Sequence, residues 1–154
     1  MIEYVALVNK GLVHTTCDDS ILVGHNIISN GKLMGCEDRD EGVFAVADGV
    51  GGLPFSELAS REILRNIAEC NARNKEEIIN CVEKGNEKIL SIRNQRKLFP
   101  NISSTLCIVA FVNCNKTPSR NLYALLFPKL YVVISSSSKA TIHKVLLMFG
   151  NNFL

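Results

Sequence analysis

Glu41-Gly42-Val43-Phe44-Ala45-Val46-Ala47-Asp48-Gly49-Val50-Gly51-Gly52 is the stretch on which the reading of this chain turns. Val43 to Ala47 is short, wholly apolar and rich in strand formers, the pattern of a strand covered on both faces. It stops on one carboxylate, Asp48, and Gly49, Gly51 and Gly52 follow almost at once. Glycine admits positive φ and lets backbone amides and carbonyls approach a ligand closely. A buried sheet that ends in this way can deliver an acid to a metal or a phosphate. The same Asp-Gly is also the signal of an ordinary turn.

Working outward, Ile2 to Val8 and Ser20 to Ile28 read as two strands, joined by a loop that carries Asp18 and Asp19 near its end. Asn30-Gly31 is a hairpin signal leading to a third strand, Lys32 to Cys36. Glu37, Asp38 and Asp40 belong to an acidic loop that reads as a solvated turn. After the glycines, Ser56 is the expected N-cap of a helix whose stripe is Ala59, Ile63, Leu64, Ile67 and Ala68. A second helix is predicted from Lys75 to Asn94, with Asn74 as its cap, Glu77 reaching back, and Ile78, Val82 and Ile89 on its buried face. Thr105 to Val112 is another strand, with strand-like segments at Asn121 to Phe127, Leu130 to Ser135 and Thr141 to Phe149. Strands, then helices, then strands is an α+β order.

A length of 154 residues suits one domain with a real core, and 47% hydrophobic with 21% charged residues describes a soluble globular protein. Charge is lopsided: residues 1–87 hold all 15 Asp and Glu, whereas residues 88–154 hold 9 Lys and Arg and no acid. Those basic residues stand singly in apolar sequence, which argues against a nucleic-acid surface. Cysteines 17, 36, 70, 81, 107 and 114 show neither Cys-x-x-Cys nor a histidine at zinc-finger spacing, leaving every pairing open; reduced cytosolic thiols are the expectation. Met1-Ile2-Glu3-Tyr4 lacks the basic start and apolar core of a signal peptide, pointing to the cytoplasm. The longest apolar stretch, Leu122 to Ile134, is broken by Pro128 and Lys129 and falls short of the roughly 20 residues of a membrane helix, so no membrane span is expected.

With Leu53-Pro54-Phe55-Ser56-Glu57-Leu58-Ala59-Ser60 added, the central stretch resembles the metal-dependent protein phosphatases of the PPM, or protein phosphatase 2C, type. Their hallmark is an apolar strand, Asp-Gly-x-Gly-Gly, and a helix opening on Glu-x-Ala-Ser. Upstream, His14-Thr15-Thr16-Cys17-Asp18-Asp19 before Ile21-Leu22-Val23 stands where the family has Arg-x-x-Asn-Glu-Asp. Downstream, Asn86 and then Ser103-Ser104-Thr105-Leu106 resemble the family's Asn-containing helix and Thr-Thr-Leu strand. The resemblance implies a sandwich of two antiparallel sheets with helices packed outside, of which this chain holds the N-terminal half or so. Residues 1–112 would be the phosphatase-like portion and 113–154 an atypical basic and apolar tail, in a chain truncated or divergent after about residue 113.

What the resemblance implies for the site is a centre of two Mn²⁺ or Mg²⁺ ions acting on a phosphorylated protein. Asp48 would bridge the metals, the Gly49 carbonyl would ligate one of them, and Asp18 would replace a metal-binding Glu. Asp19 would act on metal-bound water, and His14 would face substrate phosphate. Hard divalent ions demand several carboxylates converging from separate loops. Two departures weaken the set. His14 replaces a permanently charged, bidentate Arg by a mostly neutral single donor. The acid-free segment 88–154 holds none of the family's later aspartates. The expectation is therefore an incomplete phosphatase domain, the alternative being a catalytically inactive phosphatase-fold binding or regulatory module. A nucleotide-binding loop is disfavoured because the glycines lack the Lys and Ser/Thr of a P-loop.

Overall fold

A computed structural model describes residues 2–12, 15–37, 42–50, 55–97, 102–113, 120–127 and 144–149. In chain order its elements are β1 (Ile2–Val8), β2 (Ser20–Val23), β3 (Asn26–Ile28), β4 (Gly31–Glu37), β5 (Gly42–Ala47), α1 (Ser56–Glu69), α2 (Lys75–Arg96), β6 (Leu106–Asn113), β7 (Arg120–Phe127) and β8 (Lys144–Phe149). One sheet has the order β4-β1-β8 and the other β3-β2-β5-β6-β7. All neighbours are antiparallel except β1 and β8, which run parallel. The α+β sandwich expected from the sequence is thus present, with one parallel pair in the smaller sheet.

Period-two alternation sorts the apolar residues into two cores. Ile21, Val23, Phe44 and Val46 face Ile2, Tyr4, Ala6 and Val8 of β1 and form the layer between the sheets. Their immediate neighbours Leu22, Ala45 and Ala47 point the other way, to Ala59, Ile63, Leu64 and Ile67 of α1 and Ile78 and Ile89 of α2. This is why Val43 to Ala47 carries no polar residue: β5 is covered on both sides. Small residues at Ala45, Ala47 and Ala59 let α1 lie close to the strand.

The two helices meet along a tight seam. A Cβ at Gly85 would stand 2.6 Å from Ile63 Cδ1, so the bare backbone of α2 accommodates that side chain. Asn66 of α1 donates from Nδ2 to the Cys81 carbonyl at 2.6 Å. Glu62, buried on α1, pairs with Arg65 on its own helix and with Lys88 of α2 at 3.6 Å. At the N-terminus of α2 the predicted cap is present: Asn74 accepts from the Glu77 amide at 2.9 Å, and Glu77 reaches back to the Arg73 amide at 2.7 Å. The helix runs on to Arg96, two residues beyond the predicted end, and closes on Lys97 in the left-handed region.

Four expectations are corrected. The segment read as one strand, Ser20 to Ile28, is a hairpin turning at Gly24-His25, with Val23 opposite Asn26 and Gly24 at φ 59°. Asn30-Gly31 does not join paired strands; Gly31, at φ 99°, begins β4, which crosses to the other sheet and pairs with β1. Ser56 is the first helical residue and not the cap, a place taken by Phe55 in a left-handed conformation. Cys70 and Cys81 are joined in a disulfide, against the expectation of thiols throughout, while Cys17, Cys36 and Cys107 are free. Of the later segments, β7 begins one residue before the strand expected at Asn121 to Phe127, β8 lies within that expected at Thr141 to Phe149, and Leu130 to Ser135 lies outside the described residues. Among the described residues no helix is long and apolar enough to cross a membrane.

Phe44 is fully buried between the sheets, with ring centroids 6.1 Å from Tyr4 and 5.9 Å, edge-on, from Phe111. Truncation there leaves a cavity lined by both sheets. Phe44→Ala is expected to lose about 3–5 kcal/mol of unfolding free energy. Urea denaturation followed by circular dichroism measures it.

Candidate functional site

Strand register creates the site. β2 and β5 are antiparallel neighbours with Ser20 opposite Ala47. Asp19 precedes the first residue of that pair and Asp48 follows the second, so the two acids leave the sheet at the same end. A slip of one residue would send them to opposite faces. Their carboxyl groups lie close enough to interact. Asp19 is buried, Asp18 and Asp48 partly so. Burial, the neighbouring Asp48 carboxyl and the charge of Asp18 together push the Asp19 carboxyl up to about 7.

The backbone around Asp48 is fixed from three sides. Its carbonyl accepts from the Thr105 amide at 2.8 Å and from the Ser104 hydroxyl at 2.9 Å. The Val50 amide donates to the Ser103 carbonyl at 3.0 Å, so the segment 103–105 ahead of β6 acts as a splint for Asp48 to Val50. The Gly49 amide donates to the Asp18 carbonyl at 3.2 Å, tying the two acidic segments together. The Ser56 hydroxyl, freed from capping, donates to the Val50 carbonyl at 2.6 Å and anchors the loop to α1. Behind Asp19, the buried hydroxyls of Ser20 and Ser60 lie 3.3 Å apart, and Ser20 also meets Ser29 at 2.9 Å.

Gly49 has no room for a side chain. A Cβ there would lie 2.6 Å from the Asp18 carbonyl oxygen and 2.7 Å from that of Ser56, both rigid backbone atoms. Sequence reading singled out Asp18, Asp19, Asp48 and Gly49, and the structure brings these four together. His14, Gly51, Gly52, Asp38 and Asp40 lie outside the described residues. Ser104 and Ser56 were not anticipated as supports. Ser104 is 56 positions from the carbonyl it holds, and nothing local in the sequence signals that contact.

Hard carboxylate oxygens with surplus negative charge suit one hard divalent cation, which would displace the proton that Asp19 otherwise keeps. Cys17, next in the loop, adds no thiolate: burial pushes its thiol up, and the charges of Asp19 and Asp18 act in the same sense. Among the described residues no group of three or more His, Cys, Asp or Glu is arranged to hold a metal ion. The carboxylates are of the chemical kind that hard divalent cations take, but their arrangement among the described residues does not form a metal site.

Two outcomes follow from this geometry. Gly49→Ala is expected to lower unfolding free energy by about 1–3 kcal/mol, because neither carbonyl can retreat; urea midpoints report it. Asp19 holds its proton to higher pH when folded than its ordinary value of 3.8 allows when unfolded. Its contribution to stability is full below about pH 4 and is lost as pH rises towards about 7. The difference in thermal midpoint between wild type and Asp19→Asn, followed from pH 4 to 8, should change in that window and in that sense.

No protein-family model and no curated protein sequence matches the chain. Among solved structures it is similar to the Mycobacterium tuberculosis serine/threonine phosphatase PstP/Ppp, at 20% identity and a TM-score of 0.56, over 81% of this chain and 47% of that one. It is similar also to the PPM Ser-Thr phosphatase MsPP from Mycobacterium smegmatis in complex with cacodylate, at 19% identity and a TM-score of 0.54, over 81% of this chain and 45% of that one. The chain spans less than half the length of these structures, and over that part its fold is the α+β sandwich of the PPM-type serine/threonine phosphatases.

Proposed function

We propose that the chain is a PPM-type phosphoprotein phosphatase domain with an incomplete metal centre, hydrolysing phosphoserine or phosphothreonine monoesters slowly in the cytoplasm. The observation that carries this reading is the Asp19–Asp48 pair set at the shared end of β2 and β5 by strand register, on the fold of those phosphatases. Residues 1–112 hold the phosphatase-like portion; in the segment that follows, β7 extends the larger sheet and β8 the smaller one.

Asp18, Asp19, Asp48 and the Gly49 carbonyl would hold Mn²⁺ or Mg²⁺. When bound, such an ion supplies Lewis acidity at the attacking water and at the phosphoryl oxygens. Asp48, splinted by Ser104 and Thr105, orients without reorganising during reaction. Asp19 would be the carboxylate beside that ion placed to accept the proton of the attacking water. By the resemblance of its sequence block, His14 would take the part of the phosphate-holding Arg and would capture phosphate less firmly.

The alternative, a non-catalytic phosphatase-fold binding or regulatory module, is favoured by one fact. The last acid in the sequence is Glu87, so β6, β7 and β8 bring no carboxylate to complete the centre. Hydrolysis of p-nitrophenyl phosphate decides between them. The expected result is Mn²⁺-dependent turnover that falls about tenfold or more in Asp48→Asn. Equal rates for the two proteins, with and without Mn²⁺, would leave the non-catalytic module standing.

A further inference from the structure

The Cys70–Cys81 disulfide joins the residue that closes α1 to the buried face of α2, with Cα atoms 6.2 Å apart, inside the usual range for this bond. Its two ends differ in access. Cys81 is buried, in line with Ile78, Gly85 and Ile89, whereas Cys70 is partly exposed. Other contacts cross the seam beside the bond. Asn66 grips the Cys81 carbonyl, Gly85 admits Ile63, and Glu62 meets Lys88. Beyond the seam, His25 donates from Nδ1 to the Ala68 carbonyl at 3.2 Å and holds the last turn of α1 from the β2–β3 hairpin.

From this arrangement we infer that Cys70–Cys81 is a reversible thiol–disulfide clasp, a redox modification site that sets the stability of the helical layer while the layer itself persists in both states. Packing already places the two sulfurs together, so the reduced thiols remain poised to close with each other. Cys17 and Cys36, in the first loop and on β4, and Cys107, on β6, belong to the sheets and their loops, outside this helix seam.

The chemistry is an exchange with a low-molecular-weight disulfide such as glutathione disulfide. The accessible Cys70 thiolate attacks one sulfur of the oxidant and expels the first thiolate. Cys81, as thiolate, then attacks the Cys70 sulfur of the mixed disulfide and expels the second. Two protons and two electrons pass from the cysteine pair to the oxidant, which leaves as two thiols. Reduction runs in reverse and begins at the sulfur of Cys70, since that of Cys81 is shielded. The closed bond removes conformations from the unfolded chain, and because it spans only 11 positions the gain is moderate.

The test treats full-length protein with glutathione disulfide or with dithiothreitol, alkylates free thiols, and maps peptides by mass spectrometry beside thermal melts. After oxidation, Cys70 and Cys81 should resist alkylation and appear in one linked peptide. Dithiothreitol should expose both, lower the melting midpoint by about 5–10 °C, and leave the circular dichroism spectrum helical. Re-oxidation should restore the midpoint, and Cys70→Ser should show no response to reductant. Alkylation of both cysteines after oxidation, linkage of either to another cysteine, loss of the helical spectrum on reduction, or an equal reductant shift in Cys70→Ser would each overturn the inference.

Discussion

Pairing of β2 with β5 is the constraint on which this molecule rests. With Ser20 opposite Ala47, one register does two things at once. It sends Ile21, Val23, Phe44 and Val46 into the layer between the sheets and Leu22, Ala45 and Ala47 towards the helices. It also sets two carboxylates side by side at the strand ends, where burial and the neighbouring acids push the Asp19 carboxyl up to about 7. Slipping the register would expose both cores together, so the apolar pattern enforces a polar arrangement that is unfavourable taken by itself. The stability of two hydrophobic layers holds the acidic pair in place.

Around that pair, support comes from backbone more than from side chains. Asp48 lies between the lead into β6 and the start of α1, with carbonyls and amides making most of the contacts. Gly49 is the point of closest approach, and its lack of a side chain is a matter of space. Such a loop is positioned by elements distant in sequence. This explains how a carboxylate on an otherwise ordinary Asp-Gly turn can be held rigidly.

How much of this was legible in the sequence depended on whether the physical cause was local. The buried strand Val43 to Ala47 announced itself because two-sided burial leaves no polar residue. The α2 cap did so because Asn74 and Glu77 are three positions apart and satisfy each other's amides. Ser20 to Ile28 misled because the break between the apolar runs Ile21 to Val23 and Ile27-Ile28 is only Gly24-His25-Asn26, short enough to read as part of one strand. Ser56 misled because its hydroxyl answers a carbonyl of the glycine loop instead of its own helix. The cysteine pairing was invisible because it follows from helix packing, which no spacing rule encodes. For the site, motif resemblance picked out Asp18, Asp19 and Asp48, but their mutual distance and the splint at Ser104 follow from strand pairing alone.

The parallel partnership of β1 and β8 has a kinetic meaning. Glu3 is in register with Lys144, so the smaller sheet closes only when segments about 140 positions apart meet. Loops of that size close slowly, and contacts of such long range retard the search for the native state. During ribosomal synthesis β1 can join β4 early, yet its other edge stays open until Lys144 to Phe149 emerges. A nascent chain with an unpaired apolar strand edge is prone to stray association. Production of this protein should therefore be sensitive to chaperone supply and to translation speed.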